Sequence, residues 1–475
     1  MKALFLLVTL LSLEILAISP SLKKAILSTP AFSKKGLEVG VLVSSLKTGE
    51  VLFENGADKL LIPASVAKVF TSFAVLKKLK PTFTFKTPIL IQGSLKEGKL
   101  SGDLYLKGSG DPSLVSERMW MLVNELVRSG IKSVTGNIIV DSSYFDDEKT
   151  PDSRPVYLKD QAYNAPLGAL SFNFNTTTIF VRPGDARGDK PKVFTDPDNA
   201  YIDIVNQANT GSHSSKNTLV VTRTDYVKGD IGDTVLLRGS LPLDVKEVRF
   251  YRNIVNPALY TGHMFRTFWE QRGMKFQGNV IEGRVPEGAR QILEFESLPL
   301  WQIVWGLNKF SNNFVADQLM KRLGAEVFGP PGTREKGIKA VEAALSEIGI
   351  SPGSYQIIDG SGLTRGTHVS PRHLVKVLSA IYRDFSISPE FISSLGIAGE
   401  DGTLKKRFPN SVERGVLRGK TGSLDGVNSL AGFTESSSGE PIAFAIILND
   451  PKVKYGRMIP WIDSMVEKIG RFSRK

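Results

Sequence analysis

The 475 residues include no cysteine. Disulfides, thiolate metal sites and cysteine nucleophiles are therefore excluded, and the fold must rest on its packed core. Histidine is scarce: His213, His263, His368 and His373 are the whole set, and none forms the His-Glu-x-x-His pair of a zinc protease. His368 and His373 read as surface or packing residues. Beyond the N-terminus no apolar stretch is long enough to cross a bilayer. There is no internal repeat and no low-complexity tract.

What is present suits a folded protein of two or three domains. The apolar share is 41% and the charged share 23%, enough for a core and too balanced for disorder. The opening MKALFLLVTLLSLEILAISPS places Lys2 before an apolar run from Ala3 to Leu13, with Ala17 as a small residue before a cleavage point. Residues 1–17 read as a secretory signal peptide; a buried N-terminal helix is the alternative. The expectation is an exported protein, periplasmic, with no transmembrane segment. The net charge of +12 favours anionic partners such as wall polymers. The charges are scattered rather than clustered, so they read as solvated surface and not as a nucleic-acid footprint.

Periodicity divides the chain. LEVGVLVSSLKTGEVLFENGADKLL alternates about a Lys-Thr-Gly turn and predicts a hairpin. IPASVAKVFTSFAVLKKLK then shifts to helical spacing, with Val66, Val69, Phe70, Phe73, Leu76 and Leu79 recurring at three and four. From Thr84 to Phe250 short β-rich runs (TPILIQG, GNIIVD, NTLVVTRT, DTVLLRG) alternate with polar loops such as DDEKTPDSRP. Helical spacing returns after Asn256, and GVLRGKTGS, NSLAGFTES and EPIAFAIILN then read as strands before a helical C-terminus. The expected class is α+β: one domain from residues 20–84 and 251–475, interrupted by a β-rich insertion over 85–250.

Single motifs mislead here. GVLRGKTGS falls one residue short of a phosphate-binding loop and runs into a glycine-broken, strand-like segment rather than a helix. GISPG (349–353) fits a hydrolase elbow, but Pro352 has no N–H for the oxyanion hole that such an elbow supplies. Ser-x-x-Lys occurs at Ser21, Ser44, Ser65 and Ser129, and Lys-Thr-Gly occurs twice. Only one combination gains from its context. Ser65 and Lys68 sit at i and i+3 near the start of a strong helix, so hydroxyl and amine can meet. A serine needs a base, and a lysine becomes one only if burial or a neighbouring cation lowers its pKa. Lys420 is the candidate cation.

SVAK, SNN and KTGS, in that order, resemble the three motifs of penicillin-recognising acyl-serine transferases. The long gap between Ser65 and Ser311 resembles the low-molecular-mass class C penicillin-binding proteins of peptidase family S13, D-Ala-D-Ala carboxypeptidases and endopeptidases that act on peptidoglycan. LYLKGSGDPSL, GNIIVDSSYFD, YNAPLGALSFNFN, DGSGLTR, EDGTLKKRF and KTGSLDGVNSLAGF extend the likeness over nearly the whole chain. The resemblance implies a penicillin-binding transpeptidase-like domain, an antiparallel sheet flanked by helices. It implies no metal or cofactor, stem peptides of peptidoglycan as substrate, and β-lactam antibiotics as covalent inhibitors.

The same resemblance assigns roles. Ser65 is the nucleophile and Lys68 its base. Ser311 relays a proton to the leaving amine, and Asn313 binds the substrate amide and holds Lys68. Lys420 and Thr421 face the terminal carboxylate with Ser423 nearby, and Gly422 lets the substrate backbone approach. The backbone N–H groups of Ser65 and Ser423 form an oxyanion hole, worth roughly 3–4 kcal/mol per donor in known hydrolases. Arg365 and Asp160 match places that hold the zwitterionic end of a diaminopimelate side chain; a surface ion pair and a loop cap are their alternatives. Three departures stand out. Ser423 replaces the usual Thr, Asp317 replaces the usual Glu and puts a supporting contact in doubt, and Gly366–His368 departs from an Asn-containing run. A β-lactamase shares the acylation set but needs a deacylating glutamate motif with no counterpart here. A catalytically dead wall-binding scaffold would not need all three motifs.

Overall fold

A computed structural model describes residues 20–151, 154–155, 159–198, 200–224 and 232–474. The expected signal peptide lies outside the described residues. At the centre is a six-stranded sheet in which every neighbouring pair is antiparallel. The order runs Gly396–Ile397, Arg418–Leu424, Val427–Glu435, Pro441–Asn449, Glu38–Ser45, Val51–Asn55. The N-terminal hairpin thus completes a sheet begun by the C-terminal third of the chain, with Val41 opposite Ile446.

The strand Pro441–Asn449 is apolar almost throughout because both its faces are covered. Ala443, Ala445 and Ile447 enter a core built with the helices Lys68–Leu79, Leu300–Phe310, Asn313–Phe328, Arg334–Ser346 and Pro371–Arg383. Ile442, Phe444, Ile446 and Leu448 point the other way, into a core shared with Pro20–Leu27 and Ile459–Gly470. The period of two along one strand therefore divides two helical layers.

The second unit has its own core, with members from Ile89 to Phe295. It contains a seven-stranded sheet, two three-stranded sheets and a two-stranded pair. The expected boundary at 250 falls inside this unit and has to move. The helix Pro257–Gln271 buries Tyr260, Met264, Phe265 and Trp269 in the second core, and Arg290–Glu296 pairs antiparallel with Lys86–Lys96. Helical spacing after Asn256 shows a helix but not which core receives it. A further helix, Ser116–Arg128, lies where β texture was expected; Met119, Leu122, Val123 and Leu126 form its buried stripe. The outgoing and returning strands meet at the junction, where the Ser297 N–H donates to the Phe85 carbonyl at 2.9 Å.

Candidate active site

Ala64–Ala67 form one 3-10 turn that runs directly into the helix Lys68–Leu79. Side chains at i and i+3 eclipse in such a turn, which stacks Ser65 over Lys68. Ala64 holds φ 50°, a left-handed conformation that a residue with a Cβ rarely adopts. Its neighbours hold it there. A Cβ on Gly362 would stand 2.1 Å from the Ala64 carbonyl oxygen, and one on Gly422 would stand 2.5 Å from that of Pro63. The Ser429 hydroxyl donates to the Pro63 carbonyl at 2.6 Å. The Ser65 turn is thus clamped between the 359–365 loop and the strand Arg418–Leu424.

Ser311 ends the helix Leu300–Phe310 in a left-handed conformation, φ 56° and ψ 39°. Asn312 then caps the next helix, Asn313–Phe328, accepting from the Val315 N–H at 3.1 Å. This tight corner sends Ser311 and Asn313 towards the two lysines.

The Lys68 amine is fully buried and has three partners: the Ser65 hydroxyl at 2.9 Å, Asn313 Oδ1 at 2.7 Å and the Ser361 carbonyl at 2.6 Å. Two of these can only accept. A neutral amine has two hydrogens and one lone pair, so it can donate to both carbonyl oxygens and turn its lone pair to the Ser65 O–H. Its pKa falls to about 7, first through burial. Asp317 and Asp359 oppose the fall, and Arg154 assists it.

Lys420 donates to the Ser311 hydroxyl at 2.8 Å and to the Thr421 carbonyl at 2.9 Å. The expectation was a cation that depresses Lys68, but burial lowers the Lys68 amine and Arg154 is the cation that assists. Lys420 is itself pushed well below its ordinary value, by burial and then by Lys68. The two amines disfavour each other's charge in one dry site.

Along the same strand, the Thr421 hydroxyl donates to that of Thr403 at 2.8 Å, and Ser423 Oγ accepts from Asn428 Nδ2 at 2.9 Å. Ser65, Ser311, Thr421 and Ser423 are part-exposed above buried amines. Arg365 and Asp160 sit on adjoining loops and, among the described residues, hydrogen-bond to none of the five central side chains. Arg365 is exposed and donates to the Asp425 carbonyl at 2.6 Å. Asp160 lies 3.2 Å from Arg252 Nε and accepts from Gln161 Nε2 at 2.7 Å. Its loop does reach the centre, because Asn313 Nδ2 donates to the Tyr163 carbonyl at 2.9 Å.

Over residues 20–465 the chain matches the family described as D-Ala-D-Ala carboxypeptidase 3 (S13). It belongs to that family. This S13 chain is 33% identical over 440 residues to the D-alanyl-D-alanine carboxypeptidase of Actinomadura sp. (strain R39), with 90% of this chain and 80% of the relative covered. The crystal structure of penicillin binding protein 4 (dacB) from Haemophilus influenzae superposes with a TM-score of 0.80 at 24% identity, over 92% of this chain and 98% of that one. The same Haemophilus influenzae protein complexed with a β-lactam gives a TM-score of 0.74 at 24% identity, over 91% and 95%. The S13 chain therefore shares the fold of these penicillin-binding proteins.

Sequence reasoning missed part of the S13 site. DGSGLTR is wound about Asp359, whose carboxylate accepts from the N–H groups of Ser361 at 3.2 Å, Gly362 at 2.6 Å and Thr364 at 3.1 Å. An aspartate opening a Gly-Ser-Gly turn was the available signal. This wrapping aims the Ser361 carbonyl at Lys68. Asp317 is buried and ion-paired to Arg154, so the shorter side chain still finds its partner. Arg154 carried no signal; it was one basic residue in a polar loop.

Proposed function

We propose that this chain is a serine DD-peptidase. It cleaves the D-Ala-D-Ala terminus of peptidoglycan stem peptides, and D-Ala-diaminopimelate cross-links, through an acyl-enzyme on Ser65. The observation that carries this reading is the contact of the buried Lys68 amine with the Ser65 hydroxyl at 2.9 Å, with its two other partners both carbonyl oxygens.

Neutral Lys68 takes the Ser65 proton as Oγ attacks the D-Ala carbonyl carbon. Negative charge grows on the carbonyl oxygen, where the backbone N–H groups of Ser65 and Ser423 receive it. The proton passes by way of Ser311 to the departing amine, which leaves as D-alanine or as the cross-linked peptide. Water then releases the acyl group. Asn313 holds Lys68 on one side and offers its amide to the substrate on the other. Lys420, Thr421 and Ser423 take the terminal carboxylate, and its arrival restores to Lys420 the charge that burial disfavours. Arg365 and Asp160 read the diaminopimelate end, with Arg252 as a competitor for Asp160. A β-lactam is attacked in the same way, but its leaving nitrogen stays tethered and the adduct persists.

Such chemistry belongs outside the cytoplasmic membrane, which agrees with reading residues 1–17 as an export signal and the periplasm as the working compartment. No helix of the described residues is long and apolar enough to cross a membrane.

The test is incubation with fluorescent penicillin, and with monomeric and cross-linked muropeptides followed by product mass analysis. Ser65 should carry a lasting label, and D-alanine or resolved cross-links should appear. A Ser65→Ala protein that labels like wild type, or a wild type that neither labels nor cleaves, would overturn the proposal.

A further inference from the structure

Beside Lys68 lies a buried set of charges drawn from both units of the fold. Asp317 comes from the helix Asn313–Phe328 and Asp359 from the loop that follows Arg334–Ser346. Arg154 comes from the insertion. All three side chains are buried, with 4%, 5% and 1% exposure for Arg154, Asp317 and Asp359. Arg154 Nη2 pairs with Asp317 and lies 3.3 Å from both Asp359 Oδ2 and Ser361 Oγ, while Nη1 donates to Asn164 Oδ1 at 2.9 Å.

The segment that carries Arg154 is fastened to the catalytic unit. Buried Lys321 bonds to Asp146 and to the Glu148 carbonyl, Arg334 Nε donates to Glu148 at 3.1 Å, and the Asp146 N–H donates to the Gly332 carbonyl at 3.2 Å.

We propose that Arg154 is a positioning residue delivered by the insertion: its guanidinium offsets the Asp317 and Asp359 carboxylates so that Lys68 serves as a neutral base. The inference rests on the reading of Ser65 and Lys68 given above. Two buried carboxylates beside an amine favour its ammonium form, and an adjacent fixed cation opposes them. A guanidinium suits the task because it cannot lose its proton and its planar fork reaches several acceptors at once. The groups that face Lys68 are Ser65, Asn313 and the Ser361 carbonyl by hydrogen bonds, and Asp317, Asp359, Arg154 and Lys420 by charge.

The experiment is the rate of covalent labelling by fluorescent penicillin from about pH 5 to about pH 10, for wild type, Arg154→Met, Arg154→Lys and Asp317→Asn, each with its thermal melt. Wild type should gain rate along an acid limb. Arg154→Met should move that limb upward by about one pH unit or more, which makes labelling well below the limb about tenfold slower while the alkaline rates converge. Arg154→Lys should keep the limb near its wild-type place, and Asp317→Asn should move it downward. A folded Arg154→Met whose rate drops by one factor at every pH, with the limb unmoved, would reduce Arg154 to a clasp and overturn the inference. If Arg154→Met does not fold, Asp317→Asn decides: a limb unmoved or moved upward sinks the idea. A wild type that forms no adduct at any pH defeats the Ser65 reading itself, a result distinct from either variant outcome.

Discussion

Gly422 lies against Ser65 with no room for a side chain between them: a Cβ there would stand 3.1 Å from the Ser65 backbone nitrogen and 2.2 Å from Ser429 Oγ. The sequence suggested that this glycine serves the approach of substrate. In the structure its missing side chain also makes room for the turn that carries Ser65. Gly422→Ala should therefore displace Pro63–Ser65, slow penicillin labelling about tenfold to a hundredfold, and destabilise the fold by about 1–3 kcal/mol. Labelling kinetics beside a melting curve check it; a near-native rate would show that the turn does not depend on this contact.

Wild-type acylation should depend on pH through Lys68. The working form is the free amine, and the pKa of about 7 sets where it appears. Below that value the rate should fall about tenfold per pH unit, because the ammonium form has no lone pair for the Ser65 proton. Lys68→Arg should lose about a thousandfold or more at every pH, since a guanidinium stays charged. A flat profile across neutral pH would mean that another group activates Ser65.

How far the sequence carried follows from how local each signal was. Ser65 with Lys68, Ser311 with Asn313, and Lys420 with Thr421 each sit within a few residues of a partner that fixes their direction, so short motifs revealed them. The strand Pro441–Asn449 announced itself as a short continuous apolar run and the helix Lys68–Leu79 by its period. Arg154 acts on residues over a hundred and fifty positions away, and nothing beside it marks that duty. The unit boundary near Glu296 was hidden for a similar reason: a pairing partner, Lys86–Lys96, decides it from far upstream. Lys420's loss of charge preference comes from burial, which a motif does not show.

Glu413 offers a test of stability away from the site. The residue is 1% exposed, and its carboxyl is pushed up to about 7, mainly by burial and also by Glu467, against the pull of the Thr434 hydroxyl at 2.5 Å. Its folded-state pKa lies above the unfolded one, so its favourable contribution is complete at low pH and is lost as pH rises through about 7. Glu413→Gln should melt higher than wild type at alkaline pH, by an amount on the order of 3 kcal/mol, and lack this part of the pH dependence. Equal melting temperatures at alkaline pH would refute the assignment.

Arg322 joins the two units. Its guanidinium lies 5.2 Å from the Phe83 ring, 5.0 Å from Phe85 and 4.8 Å from Tyr144, and it donates to the Ser109 carbonyl. Arg322→Ala should cost about 2–4 kcal/mol through lost ring contacts and an orphaned carbonyl. Labelling per folded molecule should stay unchanged, measured by titrating active sites in the soluble fraction. A stability loss below about 0.5 kcal/mol would show that the rings repack without it.

Phe85 and Ser297 already exchange hydrogen bonds, and the residues just beyond them, Lys86 and Glu296, are register partners. The chain therefore enters and leaves the second unit at one point. Deleting 86–296 and splicing the cut ends with about two or three residues would leave every pairing of the six-stranded sheet in place. The resulting miniature would keep its nucleophile and its lysines but lose the guanidinium that reaches back through the strap. It would be a shortened scaffold with two carboxylates under its base and no guanidinium to offset them, and removing Asp317 would be the way to wake it.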